Sequence, residues 1–179
     1  MARNVYEAFE RKALKLANQD AIRWRKDGRW VNISYGELLD RVGALSSLMR
    51  GQYGIRKGDR AAIALGNRPE WPAVFFALLH AGAVPVPVNE HGSPDDLGRI
   101  LADAGCSIAF TGKGCPALNV RSVAADSDGF WSALSAPSRE KYGAGARRDD
   151  IACIMYTSGT SSHPKGVVMS HGNLLSNMH

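Results

Sequence analysis

Only three cysteines occur in 179 residues, Cys106, Cys115 and Cys153, and no two share a C-x-x-C spacing. An odd count without that spacing excludes a disulfide framework and a thiolate zinc site, and predicts reduced intracellular thiols. The N-terminus, M-A-R-N-V-Y-E-A-F-E-R-K, is charged and amphipathic and lacks an apolar h-region, so no secretory signal is expected there. None of the five histidines (His80, His91, His163, His171, His179) pairs with another ligand at metal-site spacing. No metal site is expected in this segment, and His80, on an apolar helix, reads as a packed side chain. Charge of one sign is not in large excess either. Twenty-two Lys and Arg against 17 Asp and Glu leave +5, which suits an anionic ligand and falls short of a nucleic-acid-binding composition. There is no internal repeat. The one long uncharged run, residues 71–88, is interrupted by Gly82, Pro85 and Pro87. It reads as a helix to about His80 followed by a short buried strand, since hydrocarbon leaves freed backbone groups without partners.

What is present is an apolar content of 45%, ample for one packed domain. Val5, Phe9, Ala13 and Leu16 form one helical stripe over residues 5–17. Two strands then meet at Asp27-Gly28, a hairpin turn signal. That hairpin also explains R-W-R-K-D-G-R-W (23–30), whose alternation of cations and tryptophans otherwise imitates a base-stacking surface. Ser34 and Glu37 have capping-box spacing and open a helix carrying Leu38, Val42, Leu45 and Met49. A strand over 60–65 follows. Asn67 is the expected cap of a helix over 70–81, with Pro69 in its first turn. A strand over 83–88, a helix from Ser93-Pro94 to Gly105 and a strand over 107–111 complete an α/β alternation. Apolar strands alternating with helices predict an α/β fold, a mainly parallel sheet with helices on its faces.

Residues 1–111 thus form an α/β segment. Residues 112–150, rich in Gly, Ser, Ala and Pro, read as an irregular connection with short elements near 120–123 and 130–134. In residues 151–179 a buried strand (151–156), a loop and a second strand (166–169) precede a helix capped by Ser170, with Leu174, Leu175 and Met178 as its first apolar positions. The chain stops at His179 with that helix barely begun, which predicts a segment of a longer protein.

The loop, Y-T-S-G-T-S-S-H-P-K-G-V (156–167), has five hydroxyl residues among the six from 157 to 162. Ser/Thr/Gly runs are commonly linkers. Here, however, an apolar strand flanks each side, and Pro-Lys-Gly stiffens the exit and supplies one cation. Backbone N–H groups, hydroxyls and an ammonium in one concave loop are suited to phosphate oxygens. It is no Walker A loop: counted from Gly159, Pro164 stands where that pattern needs its second glycine, and Gly166 where it needs Ser or Thr.

T-S-G-T-S-S-H-P-K-G (157–166) resembles the phosphate-loop signature of adenylate-forming enzymes, usually T-S-G-T-T-G-x-P-K-G. Y-G-E-L-L-D-R-V-G-A-L (35–45), G-I-R-K-G-D-R-A-A-I (54–63), H-A-G-A-V-P-V-P-V-N (80–89) and the D-D-I-A-C-I-M-Y lead-in (149–156) look like the family's N-terminal segments in their usual order. The wording is more similar to fatty-acyl or aryl-CoA synthetases than to peptide-synthetase modules. The poorest match is 112–146.

The resemblance implies an incomplete part of the large N-terminal AMP-binding domain, cut from a protein roughly three times as long. It implies activation of a carboxylate by ATP to acyl-AMP and pyrophosphate, with Mg2+, followed by transfer to a thiol such as CoA. In that scheme Thr157, Ser158, Gly159, Thr160, Ser161, Ser162 and Lys165 bind the ATP phosphates. The catalytic residues lie beyond His179, leaving none in this segment and the chain inactive alone. The implied partners are a fatty or aryl acid, ATP and CoA, with no nucleic acid, no transmembrane segment and a cytoplasmic location. Two departures stand out. Ser161 replaces threonine and keeps a hydroxyl, whereas Ser162 replaces glycine. Serine at a positive φ costs roughly 1 kcal/mol, and elsewhere it adds a donor. The alternative is a naturally short, non-catalytic nucleotide-binding or interaction module with the same partial fold.

Overall fold

The computed structural model describes residues 2–134, 145–157 and 164–177. Its elements in chain order are α1 (Val5–Lys15), β1 (Asp20–Lys26), β2 (Arg29–Ser34), α2 (Tyr35–Gly51), β3 (Arg60–Ala64), α3 (Glu70–Ala81), β4 (Val84–Pro87), α4 (Pro94–Ala104), β5 (Cys106–Thr111), β6 (Arg121–Ala124), α5 (Asp128–Ala133), β7 (Ile151–Thr157), β8 (Lys165–Ser170) and α6 (His171–Ser176).

Local chemistry sets most of these boundaries. Asp27 and Gly28 both take positive φ (49° and 76°), which matches the right-handed twist of the β1–β2 hairpin. At Ser34 both arms of the capping box form: its hydroxyl accepts from the Glu37 N–H, and the Glu37 carboxylate accepts from the Ser34 N–H. Ser170 forms the same two-armed box with Asn173 at α6, whereas Ser93 caps α4 with its hydroxyl alone accepting from the Asp96 N–H. Asn67 does not cap α3. The helix starts at Glu70 with Pro69 at the N-cap and no side-chain cap bond. The preceding residues are drawn instead into the turn at the end of β3, where Arg68 accepts from Trp71 N–H and reaches Asp126.

Four strands form one parallel sheet in the order β4-β3-β5-β6. The residues after 112 therefore supply its fourth strand as well as α5. Alternation along β3 sends Ala61 and Ile63 to one face and Ala62 to the other. The first face joins Ile108 and Phe110 to α1, α2 and α3, with Leu45, Met49, Val74 and Leu78 fully enclosed. The second joins Val84, Val86 and Ala109 to α4 through Leu101 and Ala104. His80 is packed as expected: it is buried and stacked on Tyr6 at 4.4 Å between ring centroids.

Pro85 and Pro87 have no N–H to give, so β4 sits at the hydrogen-bonded edge of the sheet. Alongside β4 lies β7, which sends Ile154 into the second core cluster. β7 pairs antiparallel with β8. Only part of this ribbon is buried. Ile151 and Met155, expected inside a buried strand, are 37% and 45% exposed, because one side of the ribbon alone meets the sheet. No helix among the described residues is long and apolar enough to cross a membrane.

Candidate functional site

The hydroxyl-rich loop is strung between β7 and β8. Antiparallel pairing sets Ile154 opposite Val168, Met155 opposite Val167, Tyr156 opposite Gly166 and Thr157 opposite Lys165. Directly opposed residues project from the same face of a ribbon, with Cβ atoms roughly 5 Å apart. The Thr157 hydroxyl and the Lys165 ammonium, eight positions apart in sequence, are thereby brought to one face at the mouth of the loop. Both are exposed. Ser158, Gly159, Thr160, Ser161 and Ser162 lie outside the described residues.

Thr157 and Pro164 border a hollow of about 300 Å³. Its other wall is the segment leaving β4, residues Pro87, Val88 and Asn89, together with Gly92, Leu97 and Ile100 around the start of α4. The end of β4 and the open end of the ribbon thus frame one cavity. This wall was not legible in sequence, since it depends on β7 lying beside β4.

Tyr156, just before the loop, is half-buried, and its hydroxyl donates to Asp103 Oδ2 at 2.5 Å. Burial, and then Asp103 beside it, push the phenol well above its ordinary pKa. The ring lies against Gly166, where a Cβ would stand 3.0 Å from Tyr156 Cζ and 3.3 Å from Ile154 Cγ2. That close approach is a physical reason for glycine at 166.

A second cavity, about 250 Å³, opens at the C-terminal ends of the parallel strands. Helices α3 and α4, which follow β3 and β4, pack on opposite faces of the sheet, and the cavity lies at the strand ends, where α/β sheets bind ligands. Arg68, Glu90, Lys113 and Asp126 line it. Arg68 and Asp126 pair within it. Arg68 Nη1 donates to Asp126 Oδ2 at 2.6 Å, and the Lys113 N–H donates to the same oxygen at 2.8 Å. Burial raises the Asp126 pKa, but these two donors outweigh it and hold the carboxyl below its ordinary value. The Glu90 carboxylate fills the space that side chains at Gly66 and Gly112 would take. Each residue follows a strand end, which is the only sequence signal for it. Among the described residues no group of three or more His, Cys, Asp or Glu side chains is placed to hold a metal ion.

The AMP-binding enzyme family matches over residues 9–179. The chain is 35% identical over 147 residues to a feruloyl-CoA synthase from Amycolatopsis, covering 79% of this chain and 29% of that protein. It is 33% identical over 129 residues to a long-chain-fatty-acid–CoA ligase of Mycobacterium tuberculosis, covering 66% and 26%. The chain therefore spans less than a third of the length of these relatives. Among solved structures it superimposes on a fatty acyl-adenylate ligase from L. pneumophila, solved with acyl adenylate and pyrophosphate. The TM-score is 0.81 at 22% identity, over 99% of this chain and 32% of that one, which is agreement of fold. The N-terminal subdomain of Klebsiella oxytoca NpsA, solved with anthranilyl-AMSN, gives 0.78 at 26% identity over 96% and 42%. With a parallel sheet, a hydroxyl-rich segment between paired strands and a family match over nearly its whole length, the chain belongs to the AMP-binding enzyme family.

Proposed function

We propose that this chain is the N-terminal part of an ATP-dependent acyl-activating ligase, and that its loop holds the β- and γ-phosphates of ATP. A carboxylate oxygen attacks the α-phosphorus, the bond to the β-phosphate oxygen breaks, and pyrophosphate leaves with that electron pair. A thiol such as CoA then displaces AMP from the acyl-adenylate. Thr157, Ser158, Gly159, Thr160, Ser161 and Ser162 supply N–H and hydroxyl donors to the leaving pyrophosphate, and Lys165 is its counter-charge. That is electrostatic stabilisation of a leaving group, with no proton transfer asked of the loop. Mg2+ enters with ATP as its counter-ion. Among the described residues no group of three or more His, Cys, Asp or Glu side chains is placed to ligate it.

The observation that carries this proposal is Thr157 opposite Lys165 at the mouth of the loop, with Pro164 and Thr157 on the wall of one hollow. The relatives named above act on feruloyl and long-chain fatty acids, which supports an aryl or fatty acid as substrate and CoA as acceptor. Three free cysteines, two of them buried, suit a cytoplasmic location. Exposed Met155, Val167 and Val168 on the ribbon, at 45%, 48% and 56%, favour an enzyme in which further polypeptide covers them over a self-sufficient short module.

Titration calorimetry of the 179-residue chain with Mg-ATP and with pyrophosphate tests the loop. Binding that weakens at least about tenfold in Lys165→Ala is expected. Undiminished affinity in that variant overturns the phosphate role. The chain alone is expected to show no carboxylate-dependent exchange of pyrophosphate into ATP, and exchange would overturn its inactivity.

A further inference from the structure

A two-stranded ribbon is marginal by itself in water, and its open end is where pairing is weakest. The loop leaves the β7–β8 ribbon at that end, after Thr157 and before Lys165. The nearest deep anchor is Ile154, in the core cluster with Ala62, Val84 and Val86. Strand pairing alone leaves the last pairs of the ribbon, and with them the loop's two stems, free to splay.

One side chain spans that gap. Tyr156 is the partner of Gly166 across the ribbon, and its ring lies against that glycine. Its hydroxyl bonds to Asp103, near the end of α4. α4 is itself fixed to the sheet by Leu97, Leu101 and Ala104, all buried. Tyr156 therefore touches its own strand, the returning strand and the helix. A side chain at 166 would push the ring off this seat, since the Tyr156 hydroxyl oxygen is 3.1 Å from where a Cβ would lie.

We propose that Tyr156 is a positioning residue for the phosphate loop, clamping both stems to α4 through its hydroxyl bond to Asp103 and its ring over Gly166. This presupposes the phosphate role proposed above. Tyr156 makes no contact with ligand in this scheme and acts through the separation and tilt of Thr157 and Lys165. At neutral pH the phenol is protonated and its hydroxyl is a donor.

The test is a double-mutant cycle read in pyrophosphate affinity, by calorimetry on the 179-residue chain. Tyr156→Phe keeps the ring over Gly166 and removes only the donor. Asp103→Ala removes the acceptor, and Asp103→Asn keeps an acceptor oxygen. Tyr156→Phe and Asp103→Ala are each expected to weaken binding about fivefold, the worth of one solvent-accessible hydrogen bond. The double variant is expected to be no worse than either single one, and Asp103→Asn to stay within about twofold of the parent. Gly166→Ala is expected to reproduce the loss. Amide hydrogen exchange supplies a ligand-free readout: Tyr156→Phe is expected to accelerate exchange at residues 156–157 and 165–166 while the amides of residues 152–154 are unchanged.

Additive losses across the cycle overturn the clamp, as do unchanged exchange at the stems and affinity losses that merely track the unfolding midpoint. Parent-like affinity in Tyr156→Phe and Asp103→Ala, alongside a loss in Lys165→Ala, overturns the clamp and leaves the phosphate loop standing. If the parent chain fails to bind pyrophosphate, or Lys165→Ala binds it as well as the parent, the phosphate role fails and the clamp fails with it.

Discussion

Thr157 and Lys165 are direct partners across the open end of the β7–β8 ribbon, so a hydroxyl and an ammonium share one face at the mouth of the loop. An exposed ammonium acts through a screened field, and its effect on a polyphosphate falls as salt rises. Lys165→Ala is expected to flatten the salt dependence of Mg-ATP binding as well as to weaken it. Lys165→Arg is expected to retain most of the affinity, because the charge survives while its point-like geometry does not. Titrations at several ionic strengths check both.

The capping box at the start of α2 joins two orphan donors to two side chains. Ser34→Ala is expected to cost about 1 kcal/mol, measured by urea unfolding. The Ser34 N–H, and more weakly Arg41, hold the Glu37 carboxyl below its ordinary value against some desolvation. A depressed acid contributes stability that is present above its unfolded pKa and lost as pH falls through the folded one. Glu37→Gln is therefore expected to remove part of the stability loss seen below about pH 4.5.

His171 ties α6 to α1. It is buried, and its Nδ1 accepts from the Val5 N–H at 3.2 Å. Burial lowers its pKa, opposed by Asp150 and assisted by Lys57. Protonation would cost this nitrogen its acceptor role, so the unfolded chain takes up the proton first. Stability is then full above about pH 6.5 and falls as pH drops towards the lowered folded pKa, where the loss levels off. Thermal unfolding between pH 7.5 and 5 is expected to show this slope, and His171→Gln to flatten it at a lower overall stability.

Asp126 is held by Arg68 and by the Lys113 N–H, with only 3% of its side chain exposed. Asp126→Ala leaves both donors without that acceptor and is expected to cost about 1–3 kcal/mol by urea unfolding. Gly112→Ala is expected to cost less, because its Cβ would meet only the flexible end of the Glu90 side chain, 2.7 Å away at Oε2. Parent-like stability in Asp126→Ala would show that the strand-end cluster contributes nothing to holding the sheet.

Features set by neighbours in sequence were legible as written. The Asp27-Gly28 turn, the Ser34 box, the Ser93 and Ser170 caps and the glycines Gly82 and Gly105 closing α3 and α4 each depend on a few adjacent residues. Asn67 misled because it has the chemistry of a cap while its neighbour Arg68 is committed elsewhere, to Asp126 fifty-eight residues on. Ile151 and Met155 misled for a related reason. Apolar strands are expected to be buried, and whether a face finds a partner depends on packing outside the strand itself.

By itself, the sequence determined the α/β alternation, most of the helix ends and the family resemblance, because turn chemistry, capping and contiguous motifs act over a few bonds. Only the tertiary structure decided that β3 lies between β4 and β5 and that β7 runs beside β4. It likewise brought Thr157 to Lys165 and Tyr156 to Asp103. The physical reason is that these are contacts between segments far apart along the chain. They are selected by burial of whole faces, and no local propensity encodes which face meets which.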